Sequence, residues 1–297
     1  MSGFSVDWLA LREPADHAAR QAAARRLDAN ALAGSLRGAH VVLGVLDLAC
    51  GTGANLRALA PDLAGRQTWT LIDHDPALLA AVPAALQHWA RRHGHACDID
   101  PSGPRGALRD AAGRWHVHWQ TRCLDLATEL DRLPWAGVQL LTASALIDLV
   151  SEDWLRRLVM ASHAHGAAVW MALGVDGRDH WTPSDPDDAL VRAAFGAHQG
   201  RDKGFGPALG PRAPQVLVRL LADTGYRVRT AASDWLLEGP RTAALRRALV
   251  EGIQAAACEQ QPTQATTFRN WARRRQAHIE HLCVRVGHTE VVGWWHA

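Results

Sequence analysis

The chain has 297 residues, 48% of them hydrophobic and 21% charged, with a formal net charge of +2. That length supports one large hydrophobic core, or one core with a helical cap, and a charge so near balance excludes the basic footprint of a nucleic-acid-binding surface. No apolar run approaches the roughly 20 residues of a membrane helix, so a spanning segment is excluded as well.

From the N-terminus, 14–27 reads as an alanine-rich helix with Pro14 in its first turn, where a missing N–H is tolerated. It is expected to cap the main domain. An apolar strand at 40–48 runs through a glycine turn into a helix at 56–63, and a second strand at 68–72 leads into a helix at 76–92. Strand followed by helix, twice, implies a parallel sheet. Further strands are expected at 117–123, 138–142 and 167–173, with a helix at 152–163 capped by Ser151. The segment 176–212 breaks the rhythm, being rich in Gly, Pro and Asp around a short helix at 187–198, and reads as a substrate lid. A helix at 214–224, a strand at 226–231, two helices within 241–281 and a last strand at 282–292 complete the chain.

Cys50, Cys97, Cys123, Cys258 and Cys283 are odd in number and widely spaced, with no C-x-x-C pair. They read as thiols in a reducing cytoplasm, not as a disulfide framework or a zinc site. No signal-peptide pattern opens the chain. His93, His95 and Cys97 have metal-capable side chains, but beside Arg91 and Arg92 a solvated turn is the preferred reading, and no metal is expected.

The informative stretch is Val45-Leu46-Asp47-Leu48-Ala49-Cys50-Gly51-Thr52-Gly53-Ala54-Asn55-Leu56, an apolar strand ending in Gly-x-Gly and passing straight into a helix. Glycines there allow close approach of a ligand and leave the first N–H groups of the helix free for a polar group. Leu56 stands where a dinucleotide fingerprint has its third glycine, which disfavours NAD. The second strand ends at Ile72-Asp73-His74-Asp75-Pro76, placing a carboxylate about 20 residues after the turn, where it can accept from a ribose diol. Asp75 before Pro76 reads as a helix cap.

Together with Cys123-Leu124-Asp125-Leu126, these features resemble class I S-adenosylmethionine-dependent methyltransferases over about the middle half of the chain. The resemblance implies a doubly wound, mostly parallel seven-stranded Rossmann-like sheet, and the reading of the elements adds a helical cap at 1–38, a main domain at 39–297 and a helical insertion at 241–281. It implies S-adenosyl-L-methionine as cofactor. The turn residues Asp47, Ala49, Gly51, Thr52 and Gly53 would hold its methionine part, and Asp73 with His74 its ribose. Asp125 and Leu126 would face its adenine, and Thr142, Ala143 and Ser144 at the fourth strand's end would pass beneath its methionine part. The helices at 241–281 depart from the minimal family pattern.

Methyl transfer requires alignment of the acceptor and, where the acceptor atom carries a proton, its removal. His198 and Asp148 are the first candidates for a general base, with His288 and Asp234 behind them. Asp202, the lone Lys203 and Phe205 are candidate substrate contacts in the lid. Trp8, Leu11, Arg12 and Arg20 are placed to fold over the cofactor, and Trp235, Trp271, Trp294 and Trp295 to line an acceptor pocket, core packing being the plainer home for each tryptophan. The leading reading is O- or N-methylation of a small molecule. An RNA methyltransferase, a silent methyltransferase-fold scaffold and an NAD-dependent oxidoreductase stand as alternatives.

Overall fold

The computed structural model describes residues 4–38 and 40–295. Residue 39, where the cap was expected to meet the main domain, lies outside them. The elements in chain order are α1 (Val6–Leu27), α2 (Ala29–Arg37), β1 (Val42–Leu48), α3 (Ala54–Leu63), β2 (Gly65–Asp73), α4 (Pro76–His93), β3 (Ala96–Ile99), β4 (Arg105–Arg109), β5 (Trp115–Cys123), β6 (Leu140–Ser144), α5 (Glu152–Ala164), β7 (Ala168–Val175), β8 (His180–Thr182), α6 (Asp188–Gln199), α7 (Ala213–Asp223), β9 (Arg227–Ala232), β10 (Trp235–Leu237), α8 (Ala243–Gln260), α9 (Ala265–Ala277), β11 (Cys283–Val286) and β12 (His288–Trp294).

Local chemistry explains most boundaries. Asp75 accepts the Ala77 N–H at 2.8 Å and starts α4, and Ser151 accepts the Trp154 N–H at 3.2 Å and starts α5. α1 begins eight residues before the expected Pro14, because Ser5 caps it through the Trp8 N–H at 3.1 Å and Pro14 is carried inside the helix.

Among the described residues nine strands form one sheet in the order β3-β4-β5-β2-β1-β6-β7-β12-β9. The seven from β5 to β9 correspond to the expected sheet. β5, β2, β1, β6 and β7 run parallel, and β12 is antiparallel to both its neighbours. The strand count of seven needs correction: the antiparallel hairpin β3–β4 extends the β5 edge. Its strands are only four and five residues long, too short for a period-2 pattern to stand out. The His93–Cys97 stretch read as a solvated turn therefore runs into a strand.

The last strand, expected to be continuous from 282 to 292, is two strands in two sheets. β11 pairs with β10 and β8 in a three-stranded sheet, while β12 enters the main one. Gly287 stands at the break. A Cβ there would stand 2.4 Å from Asp176 Oδ1 and 3.0 Å from the Arg178 Cα. Gly287→Ala is therefore expected to destabilise the fold by about 1–3 kcal/mol through overpacking, measurable as a lower urea midpoint at unchanged m-value. The 176–212 segment is more ordered than a loop, since it contributes β8 and α6, and its Arg274-to-Asp185 and Arg275-to-Asp188 ion pairs tie it to α9.

β1 and β6 are neighbours in the sheet, and the connection from β1 leads to β2 on one side while that from β6 leads to β7 on the other, so the two leave adjacent carboxyl ends in opposite directions. At such a switch point the flanking loops diverge and a crevice opens at the strand ends. No helix among the described residues is long and apolar enough to cross a membrane.

Candidate functional site

The turn after β1 sits at that switch point. Ala49, Gly51 and Gly53 all have positive φ, at 49°, 54° and 80°, a conformation that glycine adopts without strain and alanine does not. The turn is tied to the tip of β2 by the Gly51 N–H, which donates to Asp73 Oδ2 at 2.8 Å, while Asp73 Oδ1 accepts the Asp75 N–H at 3.0 Å. Each carboxylate oxygen keeps a second lone pair for a ligand. His74 beside it is exposed, its Nδ1 3.4 Å from Asp73 Oδ1.

Beneath the turn lies a buried polar chain that the sequence reading did not assemble. Asn55 donates to Asp47 Oδ1 at 2.6 Å and to the Thr142 hydroxyl at 3.1 Å, and accepts from Arg20 at 2.6 Å. Arg20 also faces Glu290 at 3.4 Å, and Trp170 donates its indole N–H to the other Glu290 oxygen at 2.6 Å. Asp47 and Glu290 are fully buried. Burial pushes the Asp47 carboxyl up to about 7 against the pull of the Asn55 hydrogen bond and the Arg20 charge, and burial raises Glu290 as well. Asp47 Oδ2 has no hydrogen-bond partner.

α1 roofs this site. Glu13 pairs with Arg57 at 2.6 Å, and Arg57 donates to the Thr52 carbonyl at 2.6 Å. Leu9 lies against the turn, with its Cδ1 2.9 Å from where a Gly51 Cβ would stand. Trp8 and Leu11 pack with Ala145 and Leu173 toward the ends of β6 and β7. Asn55, Arg57, Glu13 and Glu290 are therefore neighbours of the candidate site that sequence reasoning missed. Only Glu290 carried a signal, as a lone acid beside Val291 and Val292 in an apolar strand.

The remaining candidates divide. Ala143 is buried and Ser144 half-buried at the end of β6. Asp125 is exposed and accepts the Ala127 N–H at 2.9 Å, and the Leu126 carbonyl accepts from Trp154 at 2.8 Å. Phe205 packs edge-on against that same Trp154, with ring centroids 5.3 Å apart. Asp202 is exposed and holds the Gly204 and Gly206 N–H groups, and Lys203 is half-buried.

The base candidates separate as well. His198 ends α6 and faces the exposed Glu259 at 3.3 Å, outside the glycine-turn cluster. Asp148 lies just past β6. Burial drives its carboxyl up to about 6, while the charge of Arg12 pulls it down. His288 opens β12, and burial lowers its imidazole to about 4. Asp234 accepts from Arg178 at 2.9 Å and from the His288 N–H at 3.1 Å. Of the tryptophans, Trp235 stands beside His288 with ring centroids 5.2 Å apart. Trp271 donates to Asp188 at 2.8 Å in the α6–α9 layer, and Trp294 and Trp295 lie at the far end of β12. Among the described residues no group of three or more His, Cys, Asp and Glu side chains is gathered to hold a metal ion.

No family model matches the chain, and no curated protein matches it. Solved structures similar to it include a cyclopropane-fatty-acyl-phospholipid synthase-like protein from Lactobacillus casei, 15% identical at a TM-score of 0.45 over 98% of this chain and 95% of that one. A SAM-dependent methyltransferase from Geobacter sulfurreducens, solved with S-adenosyl-L-homocysteine, is 14% identical at a TM-score of 0.40 over 89% of each chain. An arsenic(III) S-adenosylmethionine methyltransferase from Chlamydomonas reinhardtii is 13% identical at 0.39, over 85% of this chain and 63% of that one.

Proposed function

We propose that the chain is a class I S-adenosylmethionine-dependent methyltransferase that acts on a small molecule at oxygen or nitrogen. The observation that carries this reading is the joining of the glycine turn to the Asp73 carboxylate at the switch point of the sheet, through the Gly51–Asp73 hydrogen bond of 2.8 Å.

The residues fit the cofactor. Asp47 keeps one oxygen without a partner, an acceptor suited to an ammonium such as that of the methionine moiety. Asp73 has lone pairs left for the ribose hydroxyls. Asp125 and Leu126 at the end of β5 would border the adenine, and Thr142 to Ser144 at the end of β6 would lie under the methionine part. When bound, the cofactor supplies a methyl group on a sulfonium and leaves as a neutral thioether holding the electron pair of the broken bond. The protein's part is to align the acceptor atom and take its proton. Asp148 is the group we assign to that proton, since His198 faces Glu259. Leu9 of α1 lies against Gly51 and would border a ligand held at the turn. A roof this close, over a chain of near-zero net charge, suits a small acceptor and not a nucleic acid.

Calorimetric titration with S-adenosylhomocysteine tests the reading. The wild type is expected to bind at micromolar concentration, and Asp73→Asn about 10–100-fold more weakly, the loss of one charge-assisted hydrogen bond, with an unchanged circular dichroism spectrum. Absence of binding to the wild type would sink the proposal, and saturable binding of NADH instead would replace it with a nicotinamide-dependent one.

A further inference from the structure

One corner of the molecule holds three buried polar side-chain atoms with no hydrogen-bond partner: Asp148 Oδ1, Ser233 Oγ and His288 Nδ1. Ser233 is 1% exposed and His288 3%. Buried polar atoms in folded proteins are as a rule hydrogen-bonded, so three left open at one edge of the sheet mark a place that a ligand can complete. They lie along the carboxyl edge of the sheet, Asp148 just past β6, Ser233 just past β9 and His288 at the start of the antiparallel β12. The Ser233 N–H donates to the His288 carbonyl at 2.9 Å. The His288 ring stands 5.2 Å from Trp235, and Arg12 covers Trp235 at 5.3 Å. The Arg12 charge reaches both Asp148 and His288. β12 pairs with the carboxyl end of β7 through His288 and Val175, so the corner adjoins the strand ends where the methyl group would be presented.

The charges here are already matched. Arg12 pairs with Asp16 at 2.8 Å, Arg178 with Asp234 at 2.9 Å, and Arg285 donates to Asp234 at 2.7 Å. An anionic ligand would find carboxylates and committed guanidiniums, and a cation would compete with Arg12. The neighbouring packing is apolar, with the buried Leu173, Val191 and Trp235 in one core cluster against which the partly buried Trp8, Leu11 and Ala145 pack.

Building on the methyltransferase reading, we propose that this corner is the acceptor subsite. It takes a neutral acceptor with an apolar ring body, which donates an N–H or O–H to Asp148 Oδ1 and sets an adjacent polar group against His288 Nδ1 and Ser233 Oγ. The proton on the acceptor atom passes to the Asp148 carboxylate as that atom's lone pair takes the methyl.

Three probes of one shape separate the cases: 2,3-dihydroxynaphthalene, 2,3-diaminonaphthalene and naphthalene-2,3-dicarboxylate. Each is titrated calorimetrically into protein saturated with S-adenosylhomocysteine. One of the two neutral probes is expected to bind at least about tenfold more tightly than the dicarboxylate, and which one it is distinguishes a hydroxyl from an amine acceptor. Asp148→Ala, His288→Phe and Ser233→Ala are each expected to weaken that probe by about tenfold or more while their own S-adenosylhomocysteine affinity stays within about twofold, which also reports that they fold. Equal or tighter binding of the dicarboxylate, no binding of either neutral probe, or full retention in the three variants overturns the proposal. If S-adenosylhomocysteine itself does not bind, the methyltransferase reading fails, and the same titrations on the protein alone still decide whether the corner is a neutral-ligand site.

Discussion

Asp148→Asn is expected to lower kcat/KM for the methyl acceptor by about 10²–10⁴-fold, the usual contribution of a positioned general base, while leaving the fold intact. The asparagine keeps the shape and an acceptor oxygen but cannot take the proton. In the wild type the rate should rise with pH through an apparent pKa of about 6, because burial holds the carboxyl up there against the Arg12 charge, and that acid limb should vanish in the variant. The stability effect has the opposite sign. A carboxyl whose folded pKa is raised contributes stability that is fully present below its unfolded value, about 3.9, and is lost as pH rises through the folded value. At pH 7 the ionised Asp148 is therefore a burden, and Asp148→Asn should be more stable than the wild type by about 1–2 kcal/mol. A variant that loses activity together with several kcal/mol of stability would point to a structural Asp148 instead. A pH–rate profile read beside a urea titration separates the two.

Arg20→Ala should produce the largest loss of stability in the molecule, about 3–5 kcal/mol, the range for removing one member of a buried charged pair. Arg20 is 5% exposed, and Glu290 and Asp47 are fully buried; burial raises the carboxyls of Asp16 and Asp62 too, and the Arg20 charge opposes that rise. Without it, Glu290 keeps only the Trp170 indole N–H, and Asn55 loses the donor to its amide oxygen. Both buried carboxyls are already raised by burial and would rise further. Their contribution to stability is lost as pH rises through the folded values, so the deficit of Arg20→Ala should shrink on going from pH 8 to pH 5, below the value of about 7 to which burial raises Asp47. Urea unfolding at the two pH values measures it. A deficit independent of pH would mean that Arg20 acts by packing alone. Because Asn55 links this chain to Asp47 and Thr142, the variant should also bind S-adenosylhomocysteine more weakly.

The alternation of strand and helix over 40–92, the acid at the tip of the second strand and the caps at Asp75 and Ser151 were legible because each is a local property. An apolar run bounded by Gly-x-Gly, or a Ser three residues before a helical N–H, has the same meaning in almost any tertiary setting. The β3–β4 hairpin was not legible, since its strands depend on an edge offered by β5. Nor was the division at Gly287, where Asp176 and Arg178, 109 to 111 residues earlier in the chain, leave no room for a side chain.

The candidate site divides along the same line. Asp47, Gly51, Gly53 and Asp73 could be named from one segment and the strand after it, because the turn and the strand tip are brought together by the βαβ unit that their own sequence encodes. The ranking of bases could not be made that way: His198 stood in a glycine-rich stretch suited to a lid, yet α6 carries it to Glu259, while Asp148 and His288, 140 residues apart, meet the field of the same Arg12. By itself the sequence determined the class of fold, the glycine turn and the carboxylate beside it, all consequences of backbone sterics and short-range hydrogen bonding. Only the tertiary structure decided which ionisable groups are dry, since burial is set by what distant helices cover, and burial here moves Asp148 and His288 away from their ordinary ranges.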